Sequence, residues 1–239
     1  MDAPTQYMEE LRRDLALYPT WFPFDAIELG AFGTLQRGRF VRAGRLRDLG
    51  IAIEPKRARS DGNLHKSRGF RFTASSTATG QSGLVDASLG VKVHVEREHA
   101  WVFAARGISS VTIDNIAEVR REILEASRRG AWERSWLLVT EYRHVDQLNV
   151  VVARSRKAEA EVTAKGTLAA ADVLLGEDVK MTLEADDVFK VLNQKDSTPL
   201  YSLAKLRGWL RPGLESTPSG DDEHELSVER TDDEPFGFE

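Results

Sequence analysis

The sequence predicts an α+β fold: a twisted, mainly antiparallel sheet with flanking helices, in one domain over residues 1–213, followed by a disordered acidic tail over 214–239. Three observations predict it. Two long stretches, around 69–96 and 136–165, alternate apolar and polar residues as half-buried strands do. Only two segments carry clear three- and four-residue apolar spacing, so helices are few. From Glu215 onward there are ten acids and one base, Arg230, and the composition turns rich in Pro, Ser and Gly, which predicts a segment unable to fold alone.

The elements follow in order. Residues 5–17 read as a helix capped by Thr5, with Tyr7, Met8, Leu11 and Leu15 on one face. Pro19 and Pro23 in "YPTWFPF" cannot continue it. "AFGTLQRG" and "RFVRAG" are short strands, and "EPKRARSDGNLHKSRG" reads as a basic loop with a turn at Asp61-Gly62. "FRFTASSTA" alternates, "TGQSG" turns, and "GLVDASLGVKVHVERE" returns as its hairpin partner. "AWVFAARG" is a third strand. "DNIAEVRREILEASRRG" is a helix capped by Asp114, with Ile116, Val119, Ile123 and Leu124 facing inward and Gly130 past its end. A second hairpin is expected between His144–Ala153 and Ala158–Lys165, joined by the basic turn "RSRK". "TLAAADVLLG" reads as a short helix, and "EDVKMTLEA" and "DVFKVLNQ" as strands, before "TPLYSLAKLRGWL" closes the folded part.

The chain carries 41% hydrophobic residues, ordinary for a body that folds, yet no run of about 18 uncharged apolar residues predicts a transmembrane helix. The acidic start "MDAPTQYMEELRRDL" does not read as a secretory signal, and the absence of cysteine removes disulfides and thiolate chemistry, which fits a reducing cytoplasm. The net charge of -5 combines a tail of -9 with a body of +4. Much of the positive charge falls early, at Arg37, Arg39, Arg42, Arg45, Arg47, Lys56, Arg57, Arg59, Lys66, Arg68 and Arg71. A basic body with an acidic tail points to an anionic partner or to self-association of the two parts.

No phosphate-binding loop, dinucleotide fingerprint or nucleophile elbow occurs, so the sequence names no cofactor and no catalytic residue. His94 and His99 with Glu96 and Glu98 lack metal-ligand spacing and read as strand and turn polar residues. Glu141, His144 and Asp146 could be drawn as acid–base partners, but nothing marks a cleft around them. The chain does not read as an enzyme.

The order of elements resembles the pore-forming N-terminal domain of gasdermins. The resemblance rests on the first helix leading into "WFPF", on "GRLRDLG" for an L-x-D-L stretch, and on Val139, Thr140 and Glu141 in "LLVTEY", with a long hairpin before and after the second helix. "MTLEADDVFKV" is similar to a final T-L-x-F-x-V element, and the likeness covers roughly residues 5 to 210. It implies a gasdermin-N-like fold and a soluble cytoplasmic precursor that relocates to the membrane and self-associates into a large oligomeric pore, causing cell death as in bacterial defence. The membrane-inserting hairpin residues would be Phe70, Phe72, Val85, Leu89, Val91, Val93, Val95, Leu148, Val150, Val152, Ala160 and Val162. Arg37, Arg39, Arg42, Arg45, Arg47, Lys56, Arg57 and Arg59 would contact anionic membrane lipids. The tail would be autoinhibitory, anchored by Phe236 and Phe238 and removed by an activating protease. The near-N-terminal cysteine that bacterial members lipidate is missing, so no acyl-anchored step carries over.

The alternation itself leaves two readings open, because strands packed on a protein core alternate in the same way as strands facing lipid. A second function class is a non-enzymatic binding or adaptor module whose basic surface grips nucleic acid or an acidic protein partner. Nucleic acid is the weaker of these, since aromatic residues are not interleaved with the cations.

Overall fold

The computed structural model describes residues 3–20, 26–36, 38–74, 88–155, 159–165, 170–183, 188–206 and 228–230. Along the chain these form α1 (Ala3–Leu15), β1 (Tyr18–Pro19), β2 (Ala31–Gln36), β3 (Arg39–Arg45), a 3-10 turn (Leu46–Leu49), β4 (Pro55–Arg68), β5 (Phe70–Ala74), β6 (Ser88–Val95), β7 (Ala100–Ile113) and α2 (Ile116–Arg128). Then come β8 (Leu137–Ala153), β9 (Glu159–Lys165), a second 3-10 turn (Ala170–Leu175), β10 (Glu177–Leu183), β11 (Val188–Leu206) and β12 (Val228–Arg230). The fold is α+β, and every pairing whose register is resolved is antiparallel. The chain divides into two compact units: Met1–Ile27, Lys56–Val111 and Tyr142–Tyr201 form one, and Glu28–Pro55, Thr112–Glu141 and Ser202–Glu239 the other.

The first unit is layered by alternation in β7 and β8. Trp101, Phe103 and Ala105 of β7 and Leu148, Val150 and Val152 of β8 pack against Tyr7, Met8 and Leu11 of α1. The residues between them, Val102, Ala104 and Val151, pack the other way, against Val91 and Val93 of β6 and Val162 of β9. These segments of β7 and β8 are therefore buried on both faces, as central strands with cover above and below are. β5, β6, β9 and β10 form a separate four-stranded sheet in the order β10-β9-β6-β5.

The second unit packs α2 through Val119, Ile123 and Ala126 onto Phe32, Leu46, Ile113 and Leu138. Phe32, Trp132 and Trp136 form an aromatic cluster with ring centroids 4.6–5.4 Å apart, Phe32 tilted against both indoles and the two indoles edge to face. The ring of Phe32 lies over Gly44, where an added Cβ would sit 2.6 Å from its Cζ, so β3 needs glycine there. The "GRLRDLG" stretch closes on itself: the Asp48 carboxylate accepts the backbone N–H of Arg45 at 2.9 Å, and Gly50 takes the left-handed conformation at φ 75° that ends the turn.

Several local expectations are corrected. Residues 55–68 are not a loop but strand β4, paired with β7. Gly62 does not take the positive φ that an Asp-Gly hairpin turn demands, and the exposed cations are what a blunted edge strand carries. The second hairpin is also repartnered. β9 pairs with β6 on one side and β10 on the other, so neither edge is left for β8. α2 is preceded by Asn115 rather than capped by Asp114, and the Asn115 side chain is occupied elsewhere, accepting from the N–H of Glu54 and donating to the carbonyl of Ala52. α1 starts at Ala3, ahead of Thr5, with Pro4 in its first turn, where a missing N–H costs nothing. In α2 the third buried position is Ala126 rather than the half-buried Leu124.

Candidate functional site

The four-stranded sheet carries continuous stripes across its strands. On one face Val91, Val162 and Met181 lie side by side, as do Phe72, Val93 and Ala160. On the other, Thr73, Lys92, Glu161 and Thr182 are in register, with Lys92 directly opposite Glu161. The first face is dry: Val91 and Val162 are 0% exposed and Val93 1%. Lys92, Glu161, Lys180 and Thr182 on the second are exposed. The period of two in the sequence produces this two-faced sheet, and opposite charges across neighbouring strands favour its register.

Of the residues assigned to membrane insertion, Val91, Val93, Val95, Ala160 and Val162 are buried on this face, with Phe70 and Phe72 half-buried against the same core. Leu89 is placed by its backbone, opposite Ala164. Leu148, Val150 and Val152 do not join the sheet. They lie in β8 facing α1, and residues 148–153 have no wet flank. Val85, like Arg37, Phe236 and Phe238, lies outside the described residues.

The basic run is divided between the units. Arg39, Arg42 and Arg47 are exposed in the second unit, where Arg45 binds Glu28 through Nε at 2.5 Å and Nη2 at 2.7 Å, with Arg42 3.7 Å from the same carboxylate. Lys56, Arg57 and Arg59 are exposed along β4 in the first unit. The residues considered for acid–base chemistry are dispersed. Glu141 is buried and accepts from the Ser202 hydroxyl at 3.4 Å, His144 Nε2 lies 3.9 Å from Asp196, and Asp146 is exposed.

Two polar constellations hold the first unit together, and sequence reasoning missed both. Asn193, at φ 55°, bonds β10 as a neighbouring strand would. Its amide donates to the carbonyl of Val179 at 2.8 Å, and its carbonyl accepts the N–H of Val179 at 3.0 Å. Gln147 donates to the same Asn193 oxygen and to the carbonyl of Gly176. The buried Asn149 accepts the N–H of Asn193 at 2.6 Å and donates to the carbonyl of Leu174 at 2.7 Å. Three side chains on β8 and β11 thus tie down the outermost strand of the two-faced sheet and the turn leading into it. The second constellation is centred on Glu10 of α1, which accepts from Trp101 Nε1 at 2.5 Å, from Arg97 at 2.7 and 2.9 Å and from Gln6 at 3.1 Å.

His65 on β4 links to the second 3-10 turn, with Nδ1 3.6 Å from the Asp172 carboxylate, and its ring meets Phe72 edge-on at 6.0 Å. Burial pulls its pKa below the ordinary imidazole value, against the opposing pull of Asp172. A depressed folded pKa means that the unfolded chain binds more protons. The stability is therefore fully present above about pH 6.5 and is lost as pH falls from there through the folded pKa. The slope of Tm against pH below about 6.5 should flatten in His65→Phe relative to the parent, and parallel curves would refute this assignment.

The chain matches no protein-family model and no curated protein. Among solved structures it is similar to the cryo-EM structure of the gasdermin A3 membrane pore, at 16% identity, over 87% of this chain and 90% of that one, with a TM-score of 0.39.

Proposed function

We propose that this chain is the soluble, cytoplasmic precursor of a gasdermin-like oligomeric membrane pore. In this reading proteolytic removal of 214–239 releases it, and the pore permeabilises the membrane and kills the cell. The observation that carries the reading is the four-stranded sheet, dry on one face and charged on the other along matched rows. Such strands can exchange a protein neighbour for lipid at little hydrophobic cost while their polar rows meet water. Closure of many copies into a ring satisfies the edge hydrogen bonds that hydrocarbon cannot. A crossing strand needs about 9–11 residues; β6 has 8 and β9 has 7, so residues joining β5 to β6, including Val85, would extend the first pair. No helix among the described residues is long and apolar enough to cross a membrane, and the proposal assigns the crossing to strands.

The test is dye release from vesicles containing phosphatidylserine by a chain ending at residue 213. Release by the shortened chain and none by the full chain is expected. A folded shortened chain that neither binds nor empties these vesicles would overturn the reading. Each basic residue near an anionic surface contributes about 1 kcal/mol, so Lys56→Glu, Arg57→Glu and Arg59→Glu together should weaken vesicle binding at least about 100-fold. The same exposed cations favour one second reading, an adaptor for nucleic acid or an acidic protein. A mobility shift with steep salt dependence, without vesicle leakage, would select it.

A further inference from the structure

The second 3-10 turn, Ala170–Leu175, lies against the dry face of the four-stranded sheet. Its Val173 and Leu174, 0% and 1% exposed, share one core with Val91 and Val93 of β6 and Val162 of β9. One side of this cover is held by Asn149, which donates to the carbonyl of Leu174. The other meets His65 of β4, whose side chain is 15% exposed and whose Nδ1 lies 3.6 Å from Asp172. Among the described residues the buried Nε2 of His65 has no hydrogen-bond partner.

We propose that this turn is an acid-released cover: protonation of His65 frees it and bares the dry face of the sheet. A neutral ring can turn its N–H towards Asp172 and leave Nε2 as a bare acceptor. A protonated ring carries N–H on both nitrogens, so a charged donor is buried at Nε2 with nothing to accept it. That costs more than an unused acceptor. The surroundings compensate little. Asp172 faces the ring from the turn, but its side chain is 45% exposed and solvent screens the attraction. β5 presents the uncharged Phe72, 6.0 Å away, and β6, β7, β9 and β10 turn only apolar residues to this core. Leu64 and Lys66, beside His65 on β4, alternate to the opposite side. Opening the turn gives the ring to water, where imidazole takes up a proton near pH 6.5, so the open form gains as pH falls below that value. At about pH 5 the gain is at most about 30-fold. The device goes beyond the pore reading and needs no cut of the chain.

The test is amide hydrogen exchange of the full chain at about pH 7.5 and about pH 5, on either side of the imidazole value, with rates corrected for their intrinsic pH dependence. Exchange at residues 173–176, where the Gly176 N–H donates to the carbonyl of Val173, should rise about 5- to 30-fold at the lower pH relative to residues 100–105 of β7. A dye that brightens on exposed apolar surface should report the bared face over the same range. His65→Phe should abolish both responses. Asp172→Asn should keep or enlarge them, because the carboxylate favours the charged ring. No rise in the parent, the same rise in His65→Phe, or an equal rise across β7 would overturn the proposal. So would faster exchange without dye binding, which would mean that the turn opens with the face still covered. Loss of the rise in Asp172→Asn would assign the trigger to the carboxylate and overturn it too. Because no vesicle is present, failure here is distinct from failure of the pore reading.

Discussion

Asn193→Ala is expected to lower Tm by about 10 °C and to loosen β10 ahead of the rest of the first unit. The substitution removes two bonds to the backbone of Val179 and one from Gln147. Each such bond contributes about 1 kcal/mol net, so the three together give about 3 kcal/mol. Alanine at a positive φ costs about 1 kcal/mol more. For a chain of this size each kcal/mol moves Tm by about 2–4 °C. Asn193→Gly separates the two contributions, since it accepts the φ of 55° but supplies no amide; it should recover only the conformational part. Exchange of the Glu177–Leu183 amides should rise more than that of the Ala100–Ala105 amides. A Tm within about 2 °C of the parent, with β10 still protected, would show that the asparagine does not hold this strand.

The alternating stretches made this sheet legible. "FRFTA" and "VKVHV" fixed which residues of β5 and β6 face inward, and the structure pairs Phe72 with Val93. The partner of β9 was not legible, because "AEAEVTAK" carries the same period of two whichever strand lies beside it, and period says nothing of neighbours. β4 hid for the opposite reason. An edge strand whose residues 55–60 are all exposed needs no apolar alternation, so its cations read as a loop. In β8 the alternating reading of 144–153 overlooked that "LNVVVA" is apolar on both flanks, as a strand covered on both faces is, apart from Asn149, whose side chain is the point of the segment. An asparagine between valines is a polar residue in a core, and such a residue has to find partners. The sequence cannot say that those partners are the backbones of Asn193 and Leu174, since they are brought in from 44 and 25 residues away.

Glu10 carries the other large expectation. It lies on the helical face of Tyr7 and Leu11, where a carboxylate looks misplaced, yet it is only 7% exposed. Burial raises its pKa, but hydrogen bonds from Arg97, Trp101 and Gln6 and the Arg97 charge outweigh this, so the net shift is downward. Glu10→Gln keeps the shape and removes the charge, leaving the Arg97 guanidinium and the Trp101 N–H with a weaker acceptor. Breaking a fully buried pair costs about 3–5 kcal/mol. The Arg97 side chain is 34% exposed, and solvent screening reduces the expected loss to about 2 kcal/mol. A depressed folded pKa stabilises the native state above the unfolded value of about 4.3, and this advantage is lost as pH falls through the folded pKa. Urea midpoints should therefore separate parent and Glu10→Gln widely at neutral pH and converge on acidification. A double-mutant cycle with Arg97→Met should return most of the difference as coupling between the two side chains. A gap that persists unchanged at acid pH would mean that the glutamine perturbs packing rather than charge, and that α1 is held to β7 by Tyr7, Met8 and Leu11 alone.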